Sequence, residues 1–285
     1  MGADSMARPA LPTRTSRSRR RGRHSSPYQL SVPPTAPVLV LAMPGPASAG
    51  HEVASGIADA AGAACPGVDV RVGFLHGAEL SLASVLAELP DQGDDSLPAG
   101  VVVPVLASAH PEVSAAIADA AEGSGASVIV TGPLGPHPLL AEVLHARLAQ
   151  AGLARAARAG RISITSEAGG VIVLAVGGEE ALQAAGVVAV LLASRLALPV
   201  AAASLDYPAT IRDAAAQLQG AGVTNMALSP CLIGTEVPPG TLESLSGQAG
   251  MRCAPPLGDN PAIGHLVAIR YGAALEDPKL AGLAR

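Results

Sequence analysis

The sequence is poor in aromatic residues, with no Trp, one Phe (Phe74) and three Tyr among 285 residues. A platform for stacked bases or an aromatic cage for a cation needs several such rings, so neither is expected. Cysteine is as scarce. Cys65, Cys231 and Cys253 are odd in number, far apart and free of any CxxC spacing, which argues against a disulfide framework and structural zinc. Only 14% of residues are charged, yet the longest apolar-looking run, Ala181 to Ser194 between Glu180 and Arg195, falls short of the roughly 20 residues that span a bilayer. No GxSxG, HExxH or SxxK occurs, so hydrolase chemistry lacks its nucleophile or metal helix. Gly45 to Gly50 has phosphate-loop glycine spacing, but His51-Glu52 replace the required Lys and Ser/Thr, and Glu52 would repel phosphate.

What is present is apolar and small. Hydrophobic residues make up 49%, with 32 Gly and 25 Pro, which fits a compact core of Ala, Val, Leu and Ile. The net charge of −5 is uneven: residues 1–36 carry +6 from seven Arg and Asp4, leaving −11 for residues 37–285. An acidic body of this kind repels phosphate backbones, so nucleic acid is not an expected partner. The Arg/Ser/Pro leader lacks the apolar stretch of a secretory signal and reads as a disordered basic tail; an organellar transit peptide or a nucleic-acid arm are the alternatives. The expectation is a cytoplasmic protein without a membrane span.

Short β-rich runs alternate with Ala-rich stretches of helical period. Val38 to Leu41, Val68 to Leu75, Val101 to Val103 and Val128 to Val130 are each followed by apolar residues spaced three and four apart, ending with Leu140, Val143, Leu144 and Leu148. Continuous apolar strands in a βαβαβαβα order predict a parallel sheet covered by helices on both faces. The order then restarts at Val171 to Leu174 and runs through the Ala181–Leu196 helix, Val200 to Ser204, Ile211 to Leu218, Met226 to Leu228 and a final helix Ile263 to Tyr271. Residues repeat as well. Pro133-Leu134-Gly135-Pro136-His137-Pro138 has its counterpart in Pro256-Leu257-Gly258-Asp259-Asn260-Pro261, and each final Pro is followed nine residues later by Arg147 or Arg270. Val103-Pro104 with Leu106 likewise matches Ser229-Pro230 with Leu232. These pairs imply an internal duplication: a tail (1–36), one α/β domain (37–155), a connector (156–167) with an extra strand at Ile162 to Ile164, a second α/β domain (168–276) and a tail (277–285).

Ligands of parallel α/β sheets bind beyond the carboxyl ends of the strands. In the first domain the loops there hold His51, His76, His110 and His137, and in the second Glu179, Glu180, Asp206 and Glu236. Imidazoles near carboxylates suit Co, Ni, Fe or Zn. The same residues have structural readings. Pro111 and Pro138 suit first helical positions, which would make His110 and His137 helix caps, and Glu52 and Glu112 would be first-turn acids favoured by the helix dipole. His145 and His265 read as helix-surface residues, and Cys231 and Cys253 as small buried hydrophobes.

With these pieces in order, the sequence resembles the sirohydrochlorin chelatase family, the CbiX/SirB-like class II chelatases. The resemblance rests on Val38 to Gly45, Val72-Gly73-Phe74-Leu75-His76-Gly77-Ala78-Glu79-Leu80-Ser81-Leu82, Val102 to Leu106, Pro133-Leu134-Gly135 with His137-Pro138, and the second Pro-Leu-Gly set, covering about residues 37–276. It implies two tandem chelatase-like domains and a cytoplasmic lyase that inserts Co²⁺ or Fe²⁺ into sirohydrochlorin, towards cobalamin or sirohaem. The divalent metal is then a substrate, the tetrapyrrole the partner, and no organic cofactor is needed; a homodimer is left open. Family members carry one His after the first strand and another after the third. A gapless match puts Met43 and Glu112 at those positions, and the usual basic residue of the first loop is missing. The expected set is therefore relocated, with His110 and Glu112 as catalytic groups and His76, His110 and Glu112 around the metal. Two other readings stand beside it: an inactive homologue that binds metal, tetrapyrrole or a partner protein, and an unrelated two-domain small-molecule binder.

Overall fold

The computed structural model describes residue 30 and residues 35–78, 80–90, 98–155 and 168–276. The first half runs β1 (Val38–Pro46), α1 (Ala47–Ala64), β2 (Val70–His76), α2 (Leu82–Ala87), β3 (Gly100–Pro104), α3 (Pro111–Ser124), β4 (Val128–Val130) and α4 (Pro138–Gln150). The second half runs β5 (Gly170–Ala175), α5 (Gly178–Leu196), β6 (Val200–Ser204), α6 (Pro208–Gly220), β7 (Met226–Pro230), α7 (Thr241–Ala249), β8 (Arg252–Cys253) and α8 (Pro261–Leu275). Four of the helices, α3, α4, α6 and α8, open on a Pro, whose fixed φ and missing N–H cost nothing at that position.

Two parallel four-stranded sheets result, ordered β2-β1-β3-β4 and β6-β5-β7-β8. The shared order is the duplication seen as topology, and it extends to single hydrogen bonds. The Leu134 N–H donates to the Leu106 carbonyl at 2.9 Å, and the Leu257 N–H to the Leu232 carbonyl at 2.8 Å. The repeated Pro-Leu-Gly motif is therefore a backbone clip onto the loop after the third strand of each half.

Strand alternation decides which core each side chain enters. Val38, Val40 and Ala42 of β1 face an outer core with α2 and α3. Leu39, Leu41 and Met43 face a middle core that also takes in Val101 and Val103 of β3, Val171 and Val173 of β5, and residues of α1, α4, α5 and α8. A separate outer core lies under α6 and α7. The layers are thus outer helices, sheet, shared helices, sheet, outer helices.

Within the shared layer the last helix of each half packs across. α4 lies against α5 and β7, and α8 lies against α1 and β3. The crossing of α1 and α8 is close because Gly264 has no side chain: a Cβ there would sit 2.8 Å from the Ala61 nitrogen and would overlap Ala60. The two arginines of the repeat close this exchange. Arg147 on α4 donates through Nε (3.0 Å) and Nη2 (2.6 Å) to the Leu257 carbonyl. Arg270 on α8 donates to the Leu134 carbonyl at 3.3 Å. Each half's motif is clamped by the other half's arginine.

Tyr271, fully buried on α8, donates its hydroxyl to the Pro37 carbonyl at 2.6 Å, and burial raises its pKa. Tyr271→Phe removes this link between the last helix and the start of β1 and leaves a carbonyl short of its partner. The expected cost is about 1–3 kcal/mol in chemical denaturation.

Several expectations needed correction. The first strand extends to Pro46, and α1 begins at Ala47, so His51 lies on a helix and not in a loop. α7 and β8 leave little mark in the sequence: α7 buries no residue, which erases its apolar period, and β8 has only two residues. The strand expected at 162–164 and the tails lie outside the described residues, apart from Leu30 and residues 35–36.

Candidate functional site

The site is built where the loops at the carboxyl edges of the two sheets meet. Gly45 (φ +79°), at the end of β1 just before α1, lies against Thr235 of the loop after β7, with a Cβ only 2.6 Å from the Thr235 carbonyl oxygen. Gly177 (φ +118°), in the turn from β5 to α5, lies in the same way against Ala109 and His110 of the loop after β3, 3.1 Å from the His110 Cα. Both positions demand glycine by conformation and by space. Each half's first turn therefore docks on the other half's third loop.

His110 stands at the cap position of α3 but makes no capping bond. Its Nδ1 is buried and has no hydrogen-bond partner. Across the seam Asp206 Oδ2 accepts the N–H groups of Gly177 and Gly178, both at 2.8 Å, and the Ser204 hydroxyl at 3.2 Å. Burial alone would raise the Asp206 pKa, but the bonds from Gly178, Gly177 and Ser204, with the nearby charge of His110, bring it below the ordinary carboxylate value. A lowered folded-state pKa gives stability that is present above the unfolded value and fades as pH falls through the folded one. Asp206→Asn is therefore expected to lose stability at neutral pH and little at pH values below the carboxylate range, measured by denaturant unfolding across pH.

The loop after β7 carries a second carboxylate. Glu236 Oε1 accepts the Ile233 N–H and Oε2 the Gly234 N–H, both at 2.7 Å. Burial raises its pKa, opposed by these backbone donors. The neighbouring Thr235 Oγ1 is buried without a partner. Cys231 beside it is pushed up to about 12 by burial and by Glu236, and burial takes Cys65 and Cys253 to about 11, so none of the three is a ready thiolate. An open groove of about 480 Å³ runs between α6 and α7 over the outer core of the second half, lined by Leu205, Pro208, Ile211, Thr241 and Leu245 among others.

The remaining candidates fall apart from this centre. His76 ends β2 opposite Pro46 and is exposed. Because β1 lies between β2 and β3, His76 and His110 flank it on the same sheet edge, with strand axes about 10 Å apart. Glu112 is exposed in the first turn of α3, Glu179 and Glu180 in that of α5, and His51 on α1. His137 is a true cap, accepting the Leu139 N–H on Nδ1 at 3.1 Å, and burial, with Arg270, lowers its pKa. Among the described residues no three or more His, Cys, Asp or Glu side chains form a group able to hold a metal ion, so His76, His110 and Glu112 are not gathered into a preformed cage. Residue spacing could not show that His110 lies near Asp206, because the two belong to different halves. The Gly177-Gly178 pair directly after a strand was the available signal of a tight approach.

The family model for CbiX matches residues 47–151, from α1 to just past the end of α4. Two solved structures share the fold over most of both chains. SirB from Bacillus subtilis with Fe³⁺ is 14% identical with a TM-score of 0.63, covering 85% of this chain and 97% of that one. CbiX, described as the terminal enzyme of sirohaem biosynthesis in denitrifying bacteria, is 21% identical with a TM-score of 0.54, covering 84% and 100%. Residues 47–151 thus match the CbiX family, and the described chain shares the fold of these two chelatase structures. The matched segment of this CbiX-like chain holds His76, His110 and Glu112 and begins after Met43. DR2241 from Deinococcus radiodurans, a multi-domain protein with structural similarity to chelatases, is 17% identical with a TM-score of 0.53; the match covers 84% of this chain and 56% of that protein. No curated protein matches the sequence. Among the described residues no helix of the CbiX-like chain is long and apolar enough to cross a membrane.

Proposed function

We propose that this chain, organised as two tandem chelatase-like domains (37–155 and 168–276), inserts a divalent metal, Co²⁺ or Fe²⁺, into a sirohydrochlorin-like tetrapyrrole at the seam between them. It would act in the cytoplasm, on the way to sirohaem or cobalamin. The observation that carries this reading is the buried, unpartnered Nδ1 of His110 on the line where both carboxyl edges meet. Metal insertion releases two pyrrole protons, and an imidazole nitrogen without a protein partner is a suitable acceptor. The Asp206 carboxylate across the seam stabilises the imidazolium that forms. Glu112, exposed two residues on, passes the proton to solvent and offers the arriving metal a hard oxygen ligand. His76, on the other flank of β1, is a second contact for the incoming ion.

The metal is cargo here and must leave the protein for the four ring nitrogens. A loose set of donors serves that transfer better than a closed cage, which would hold the ion too tightly. The charge of −11 over residues 37–285 also draws cations to the surface.

A second reading, a non-catalytic relative that binds metal or tetrapyrrole, is favoured by one observation. Met43, at the family's first His position, is fully buried in the middle core and presents no donor to the seam. The two separate in one assay: purified protein with sirohydrochlorin and Co²⁺ or Fe²⁺ without oxygen, followed by the absorbance change of metallation. The chelatase reading expects a rate above the protein-free control. The binding reading expects an absorbance shift on mixing and no faster metallation.

A further inference from the structure

We propose that the ring of Tyr207 is the platform on which the flat macrocycle lies beside His110. Given the tetrapyrrole site at the seam, on which this role rests, Tyr207 supplies what His110 and the carboxylates lack, a hold on the plane of the substrate. Among the described residues the other two aromatic side chains, Phe74 and Tyr271, are fully buried, whereas Tyr207 is 49% exposed. A ring left in water forgoes the burial that stabilises the other two. One ring suffices for one flat ligand, where a strand of stacked bases needs several.

The contacts of the seam place the ring. Tyr207 stands at the cap position of α6, next to Asp206, whose carboxylate holds the Gly177 and Gly178 N–H groups. A Cβ on Gly178 would lie 3.9 Å from the Tyr207 hydroxyl oxygen, and one on Gly177 lies 3.1 Å from the His110 Cα. The two glycines are adjacent, so a single peptide unit separates the edge of the ring from the backbone of His110. A planar ligand wider than one side chain that rests on Tyr207 also reaches His110. The Tyr207 backbone is fixed before any ligand arrives: its carbonyl accepts the Thr210 hydroxyl at 2.7 Å and the Thr210 N–H at 2.9 Å, and the same hydroxyl accepts the Ser204 N–H at 2.9 Å. Ordering this loop therefore adds little to the cost of binding.

The duplication supplies an internal control. Ser204 pairs with Ala175 as Phe74 pairs with Met43, and each N–H is closed by the residue six further on, Ser204 by the Thr210 hydroxyl and Phe74 by the Leu80 carbonyl at 2.8 Å. Midway along these matched loops, Tyr207 corresponds to Gly77. A Cβ on Gly77 would meet nothing within 4 Å. The first half thus closes its loop with no side chain at this place, and the second half sets a ring there. Stacking also suits the substrate class. A conjugated macrocycle offers its π face whatever the orientation of its carboxylate arms, and a body of charge −11 gives those arms no general attraction.

The test is equilibrium binding of metal-free sirohydrochlorin to the full chain, followed by its absorbance in the absence of oxygen, so that no metal insertion is needed. Tyr207→Ala should raise the dissociation constant about tenfold. Tyr207→Phe should keep it within about twofold of the wild type, and Tyr207→Leu, apolar but not flat, should fall with Tyr207→Ala. Circular dichroism melts of all three should match the wild type, because the ring is half exposed and its counterpart is a glycine. A wild-type chain that binds no tetrapyrrole would remove the proposed site and the role of Tyr207 together. Wild-type binding with an unchanged constant in Tyr207→Ala would overturn the role of Tyr207 and leave the site standing. Equal weakening in Tyr207→Phe and Tyr207→Ala would assign the contact to the hydroxyl and overturn stacking.

Discussion

Replacing His110 by Ala is expected to lower the rate of metal insertion by about 100-fold or more, the lower range for removing a positioned proton acceptor. The fold should be left intact, because the His110 side chain makes no capping bond and its Nδ1 has no partner to lose. The comparison with His76→Ala is informative. His76 is exposed at the edge of β2, across β1 from the seam, so its loss should raise the metal concentration needed for half-maximal rate and change the saturated rate little. Initial rates at several metal concentrations separate the two effects. Equal losses from both variants at saturating metal would place the proton acceptor elsewhere.

Gly264→Leu is expected to have the largest effect on folding, about 3 kcal/mol or more, as a side chain is forced into a full contact. The obstruction is backbone as well as side chain, since a Cβ at this position meets the Ala61 nitrogen at 2.8 Å and the Ala60 carbonyl carbon at 2.9 Å. α8 cannot retreat alone. It covers the first half's sheet, holds Pro37 through Tyr271 and Leu134 through Arg270, and shares the middle core with both sheets. The loss should therefore appear in one transition of the whole chain, with a midpoint lower by on the order of 10 °C in a thermal melt. Two separated transitions, with only one of them shifted, would contradict the account of interlocked halves.

The sheet order of each half could be anticipated because the chain says it twice. Continuous apolar strands and three-four spaced helices recur, and Pro-Leu-Gly with its later arginine recurs with them. What the arginines do could not be seen in sequence. Arg147 and Arg270 each sit next to their own half's motif in the chain, yet each binds the other half's, a swap that only the exchange of α4 and α8 explains. The histidines show the same limit. Four of them follow strands in sequence, but parallel order places β1 between β2 and β3, puts His51 on a helix and uses His137 as a cap. His110 is set apart by a contact with Gly177 from the other half, and no spacing within one half encodes that. α7 was invisible for a simpler reason, having no buried residue to give it a period.

The most direct measurement is a crystal soaked with Co²⁺ and read by anomalous scattering at the cobalt edge. The account predicts a peak at the seam, within coordination distance of the His110 imidazole and facing the loops that carry Asp206 and Glu236. Cobalt found only at an exposed histidine such as His51, with the His110 ring unliganded, would contradict it.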